Sequence, residues 1–334
     1  MFRKLGLEEN LALNLNHYSW ALIAAWLDYE KGTAVSKEAL ELNKKLNNKR
    51  GVSVSLCNHA VADYWRGDLR SSKRRYEEAL KLRQECGDQR GVSYLSIRLA
   101  RVEFSLGNYD RSLDLLDLAI EILQEINDIQ LISLHYTFKG LICYYLDDSG
   151  KAHEFLNIAY KGWSDIGRKW GMSLSSELLG LVLISMDKSD ESRKYINHAE
   201  ELRNSMTGCR QYNSLTDYCN AEWELYSGNI EAAKILHSKS LETRVELNLK
   251  TVICESLEAI AALFFIQEDY RKSILFLSGA CFLRDEIEAP LPPRFYKKYK
   301  SIRLSCKKRL EAGEFQRIWD EAKAMELGQF SNLI

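Results

Sequence analysis

One interval organises this sequence. NNKRGVS begins at Asn47, GDQRGVS at Gly87, NDIQLIS at Asn127 and GRKWGMS at Gly167, each 40 residues after the last. Self-similarity at such a period marks an array of supersecondary units, each unable to bury its apolar face without its neighbours. A second series marks the middle of each unit: Gly67-Asp68, Gly107-Asn108, Asp147-Asp148, Asp187-Lys188, Gly228-Asn229 and Glu268-Asp269. Its steps are 40, 40, 40, 41 and 40, with the extra residue placed between Leu202 and Gly208. Gly, Asn and Asp at these points suit a helix that stops and restarts, because Gly tolerates left-handed φ and Asn or Asp caps the next helix.

The unit is helical throughout. All three prolines fall at 290, 292 and 293, so nothing before them removes a backbone donor from a helix. Between the turns, apolar residues recur at intervals of three and four. The register also predicts a steric pattern. Seven residues before each midpoint stand Ala60, Ala100, Gly140, Gly180, Ala221 and Ala261; five after it stand Ser72, Ser112, Ala152, Ser192, Ala233 and Ser273. Twelve after it stand Ala79, Ala119, Ala159, Ala199, Ser240 and Ala280. Small side chains at all of these positions let antiparallel helices approach closely. Tyr76, Leu116, Leu156, Ile196 and Leu277 fill the gaps beside them, with His237 breaking that row.

A small residue in the first helix, a Gly-Asn/Asp turn and two small positions in the second helix resemble the tetratricopeptide repeat. GNYD at Gly107–Asp110 and GNIEAA from Gly228 are its clearest segments. The unit here is 40 residues and lacks the repeat's terminal proline. The expected fold is all-α: a right-handed tetratricopeptide-like helix-pair solenoid of about seven repeats over residues 1–289. Residues 290–334 then form a Pro-rich break and two capping helices of the same structural unit. The turn of the first pair reads as shifted late, to Lys31-Gly32, and FRKLG at Phe2–Gly6 reads as the tail of a second helix, so the chain is expected to begin inside a repeat.

The junction LRQECGDQRGVS at Leu82–Ser93 resembles the inter-repeat segment of bacterial signalling ATPases of the MalT-like, LuxR-type and AfsR-type groups. The stretches LEAIAALFFIQEDY, LRDEIEAPLPP and FQRIWDEAKAMELGQ, from Leu257, Leu283 and Phe315, match the end of their helical arrays. The resemblance implies a sensor or scaffold role in bacterial signalling or transcription control. The nucleotide-binding and helix-turn-helix parts of that family have no counterpart in these residues, so neither activity is implied.

The first helix of each pair lines the concave side of such a solenoid. Ten, six and two residues before the midpoints, together with their neighbours, this register selects Trp65, Tyr94, Arg98, Arg101, Tyr145, Glu177, Tyr218, Glu222 and Tyr226 as groove residues. The groove is then aromatic, basic toward its N-terminal third and acidic toward its C-terminal half. Such a surface suits a peptide or protein segment held by ring anchors, or a small stacked effector. The competing reading for each ring is packing between neighbouring helices.

Other function classes find little support. Lys and Arg number 46 against 47 Asp and Glu, for a net charge of −1, which gives no global reason to bind nucleic acid or an anionic membrane. The eight cysteines form no C-x-x-C pair, and there is no H-E-x-x-H, phosphate loop or G-x-S-x-G elbow. No cofactor or metal is expected, and no enzyme. A groove enzyme using Glu177, Tyr218 and Glu222 would need those groups to converge, which spacing along an open array opposes. RFYKKYKSIRLSCKKR, from Arg294 to Arg309, carries eight cations and no acid. It reads as a capping helix that closes the last repeat. The alternative is a nucleic-acid adaptor using Lys297, Lys298, Arg303 and Lys307. With no membrane-length apolar run and no signal series, the expected compartment is the cytoplasm.

Overall fold

The computed structural model describes residues 7–206 and 210–334. FRKLG lies outside the described residues, as does Gly208. Among the described residues there are 17 helices and no strand. Fourteen form seven successive pairs: α1 (Glu8–Ala24) with α2 (Tyr29–Lys45), α3 (Lys49–Arg66) with α4 (Leu69–Glu85), α5 (Gln89–Ser105) with α6 (Tyr109–Ile126), α7 (Ile129–Tyr145) with α8 (Ser149–Asp165), α9 (Lys169–Ile184) with α10 (Ser189–Asn204), α11 (Arg210–Tyr226) with α12 (Ile230–Glu246), and α13 (Lys250–Ile266) with α14 (Tyr270–Glu286). Three more follow: α15 (Pro293–Arg309), α16 (Glu314–Ala324) and α17 (Leu327–Ser331). Odd-numbered members of the seven pairs are here called A helices and even-numbered members B helices. Packing divides the chain into two compact units, residues 1–135 and 136–334, with the boundary inside α7.

Several turns follow the expected chemistry, although Asn108 and Asn229 form no side-chain cap. Gly67 takes φ 85° and its N–H donates to Tyr64 O, while the Asp68 N–H donates to Asp63 O and the Asp68 carboxylate accepts from Ser71 N at 3.0 Å. One helix is thus closed by a left-handed residue and the next opened by a side-chain cap within two positions. Asp88, Asp148 and Asp269 cap in the same way.

The first pair corrects the sequence reading. Its turn lies at Leu27-Asp28, 40 residues before Gly67-Asp68, and Lys31 and Gly32 are inside α2. Leu27 adopts φ 57°, a conformation that bulky residues rarely take, and Asp28 caps Lys31 N. Gly32 occupies the small position five residues after the true midpoint, where a β-carbon would come within 2.5 Å of Ile23 Cγ1.

The small-residue rows form the seam of each pair. Hydroxyls five residues after the midpoint donate to carbonyls seven before it: Ser72 to Ala60 at 2.8 Å, Ser112 to Ala100 at 2.7 Å, Ser192 to Gly180 at 2.9 Å and Ser273 to Ala261 at 2.8 Å. Only a short side chain on each helix brings a hydroxyl this near a neighbouring helix's backbone. A β-carbon on Gly140 or Gly180 would stand 2.6 Å from Leu156 Cγ or Ile196 Cγ1 respectively. The glycine of GRKWGMS has a related duty, because a β-carbon on Gly171 would overlap the Trp163 ring of the preceding B helix.

Two glycine substitutions separate contact from propensity. Gly171→Ala is expected to destabilise the protein by about 1–3 kcal/mol through overpacking. Gly150→Ala, in an exposed helical turn with only Asp148 Oδ1 nearby at 3.7 Å, should be neutral or stabilising by up to about 1 kcal/mol. Urea unfolding midpoints for the two variants should move in opposite directions or, at the least, differ in this order.

Candidate functional site: the A-helix face

In the unit of residues 1–135, the selected residues fall into two stacked pairs on α3 and α5. The Arg101 guanidinium lies 4.5 Å from the Tyr64 ring centroid and 4.7 Å from that of Trp65, and its Nε donates to Tyr64 Oη at 3.0 Å. The two rings meet edge to face at 5.4 Å. Arg98 covers Tyr94 at 5.1 Å and donates from Nε to its hydroxyl at 3.2 Å. Tyr94, Arg98 and Arg101 occupy positions i, i+4 and i+7 of α5 and therefore share one face. All three are half-buried. Burial pushes the Tyr94 phenol up to about 12, so it stays a neutral donor.

Beside this row, α1, α3 and α5 enclose a pocket of about 180 Å³ lined by Asn16, His17, Trp20, Cys57, Asn58 and Tyr94. Small-molecule sites usually span about 300–1,000 Å³. The pocket is smaller than that and suits one inserted side chain. Burial raises the Cys57 thiol to about 11, which removes it as a nucleophile.

In the unit of residues 136–334, only part of the predicted set faces outward. Glu177 is fully buried: Arg203 donates to it through Nε at 3.1 Å and Nη2 at 2.6 Å, and the Thr216 hydroxyl adds a short bond. It is a core residue, not a groove residue. Tyr218 is also buried, beneath Arg244 at 4.9 Å and edge-on to His237 at 5.1 Å. The reason lies in helix rotation. Residues ten before the midpoint point between A and B helices and meet the residue sixteen after it. Glu177 thus meets Arg203, Glu258 meets Arg284 (Nη2 to Oε2 at 2.9 Å), and Thr137 Oγ1 accepts from Trp163 Nε1 at 3.0 Å. The sequence held a signal for this, since arginine recurs at 83, 203, 244 and 284, the sixteenth position in four units.

Glu222, Tyr145 and Tyr226 do lie toward the A-helix face. Glu222 Oε1 stands 3.2 Å from His237 Nε2. Burial alone would raise its carboxyl, but the His237 contact and the Lys298 charge hold it below the ordinary carboxylate value. Tyr145 donates to Glu255 Oε1 at 2.6 Å. Tyr226 is 44% exposed and donates to Asp187 Oδ1 at 3.2 Å. Glu255 stands thirteen residues before its midpoint, outside the rows at ten, six and two that the register assigns to the groove.

The basic helix is the largest departure from expectation. α15 does more than close the last repeat; its start reaches back to α7. Arg294 lies 4.1 Å over the Tyr144 ring, and its Nη1 donates to Tyr144 O at 3.1 Å, Asp147 Oδ1 at 3.0 Å and Ser149 Oγ at 3.2 Å. Phe295 meets the Tyr145 ring at 6.0 Å, and Tyr299 is buried. Among the proposed nucleic-acid contacts, Arg303 stacks on Trp319 at 4.4 Å, while Lys297 and Lys307 are exposed.

Among the described residues, no cluster of His, Cys, Asp and Glu is placed to hold a metal ion, and no helix is long and apolar enough to cross a membrane. No family model and no curated protein matches the sequence. Solved structures do match. The apo form of RapI aligns with a TM-score of 0.63 at 14% identity, over 83% of this chain and 98% of that one. NprR in complex with its cognate peptide NprX aligns at 0.58 and 11%, over 97% and 86%. The Signal Transduction ATPase with Numerous Domains from Pyrococcus horikoshii, which has a tetratricopeptide repeat sensor, aligns at 0.56 and 15%, over 96% of this chain and 50% of that one. The chain is a tetratricopeptide-like helix-pair solenoid. Its repeats resemble the sensor array of a signalling ATPase, and at these identities the likeness is one of fold.

The buried pairs give a quantitative check on which residues belong to the core. Arg203→Met should cost about 3–5 kcal/mol by stranding the Glu177 charge, and Glu177→Leu on top should restore most of it. Tyr226→Ala, at the exposed edge, should change stability by no more than about 0.5 kcal/mol. Denaturant unfolding of the four proteins measures all three differences.

Proposed function

We propose that this protein is a non-catalytic scaffold or sensor whose A-helix face takes up a peptide or protein segment, within a bacterial signalling or transcription-control system. The observation that carries this reading is the row Tyr94, Arg98, Arg101 and Trp65 beside a pocket sized for one side chain. Rings braced by guanidinium groups are rigid anchors that lose little entropy on binding. The two arginines set positive charge on this face, so the row suits a segment bearing acidic residues and one apolar side chain. The complex of NprR with its cognate peptide offers a parallel in a protein of similar fold. Against catalysis stands the state of the candidate acids: Glu177 is sealed by Arg203 and Thr216, and Tyr218 lies under Arg244.

Selection from a random peptide library tests the reading. The wild-type protein should enrich peptides with Asp or Glu flanking a large apolar residue. Binding of those peptides should weaken about tenfold or more in Arg101→Glu and in Trp65→Ala, the range expected for loss of an anchor. No enrichment, or equal binding by both folded variants, would remove this face from the function.

A further inference from the structure

The A-helix face of residues 136–334 already has an occupant. α15 is amphipathic: Phe295, Tyr299, Ile302 and Cys306 repeat at intervals of four, three and four, while Lys297, Lys300, Lys307 and Lys308 are exposed. The apolar stripe turns inward. Phe295 meets Tyr144 at 6.4 Å and Tyr145 at 6.0 Å, and Tyr299 is 5% exposed; Lys298 is itself exposed, and its charge favours the ionised form of Glu222. A cationic helix with aromatic residues four apart therefore lies on an acidic, aromatic surface.

Much of that surface is held together within the repeats. Glu255 accepts from Tyr145, Glu258 from Arg284, and Glu222 faces His237. Glu255 and Glu258 keep their donors when α15 is lifted, and Glu222 keeps the His237 ring beside it while losing the Lys298 charge. The losses are apolar cover for Tyr144, Tyr145 and Phe295, the burial of Tyr299, Ile302 and Cys306, the stacking of Arg303 on Trp319 and Arg309 on Tyr270, and the Arg294 contacts. One of those, to Asp147, lies at a 67% exposed carboxylate.

The attachment of α15 also differs from that of every earlier helix. It begins at the last of the chain's prolines, Pro293, with Pro292 extended at φ −62° and ψ 147°. It ends at extended Leu310 and left-handed Gly313. Beyond it the chain is anchored on α14: Trp319, which Arg303 of α15 also covers at 4.4 Å, packs on Phe282 at 5.8 Å, Glu314 pairs with Arg271 at 2.6 Å, and Phe330 seats against Phe276 and Gly279. α15 is thus a strap hung between two fixed points.

We infer that α15 is a displaceable internal occupant of this surface, which in its place accepts a basic amphipathic helix of a partner protein with aromatic residues four apart. The inference rests on the reading of the A-helix face as the recognition surface, but it concerns residues 136–334 and is tested there. Displacement would require the partner to outcompete a tethered copy at high effective concentration.

Two measurements on the full chain decide it. In wild type, native-state hydrogen exchange should show α15 amides opening at least about 100-fold more readily than those of α13 beneath, a local rather than global event. A labelled peptide of residues 290–310 should bind the Arg294→Glu/Phe295→Ala chain at least about tenfold tighter than wild type, because the internal competitor is weakened. The same peptide with alanine at both ring positions should not bind. Exchange of α15 in step with α13 would overturn the proposal. So would equal peptide binding by wild type and a variant of unchanged helicity. If the variant fails to fold, the wild-type exchange result stands as the test. Neither readout involves Trp65 or Arg101, so failure here and failure of the acidic-peptide reading are distinguishable.

Discussion

Everything in this molecule depends on how closely two helices of a pair can approach. The limit is set by Gly, Ala and Ser at the seam and by a serine hydroxyl that reaches the neighbouring helix's carbonyl, as Ser72 does at Ala60 and Ser273 at Ala261. Each such bond contributes only about 1 kcal/mol net. Its larger effect is geometric, because the small side chains, with the bond where a serine is present, fix the rotation of the A helices about their axes. Rotation then determines which rows face the B helix and which are left for a partner.

The row ten before the midpoint is consumed inside the pair. Its buried charges, Glu177 with Arg203 and Glu258 with Arg284, satisfy one another at a desolvation cost that rivals their attraction. They are better understood as register marks than as sources of stability. The rows on the other side of each A helix remain. In residues 1–135 they present arginine on aromatic rings beside a small pocket, whereas in residues 136–334 they present tyrosine and glutamate beneath α15.

Much of this was legible in the sequence because repetition multiplies weak signals. One Ala60 says little, but six small residues at one register position exclude any alternative to close packing. The same method failed where the repeat is degenerate. Leu27 replaces Gly or Asp at the first turn and Trp20 occupies a small position, so the sequence pattern points to a turn four residues later than the true one. Glu177 was misplaced because a period of 40 fixes spacing but not the rotational phase that decides between a B helix and a partner. The arginines sixteen after the midpoints, read with the row ten before, would have supplied that phase. The path of α15 back to Tyr144 was beyond reach, since no repeat signal links residues 150 positions apart.

The central claim is that one A-helix face is open to a partner and the other is closed by α15. The seven tryptophans report on both, since Trp20, Trp26 and Trp65 lie in the first unit and Trp163, Trp170, Trp223 and Trp319 in the second. Indole N–H resonances should be followed as an acidic peptide with one large apolar residue is added. The account predicts that Trp20 and Trp65 shift and saturate together while those of the second unit stay in place. Shifts confined to Trp223 and Trp319 would contradict it.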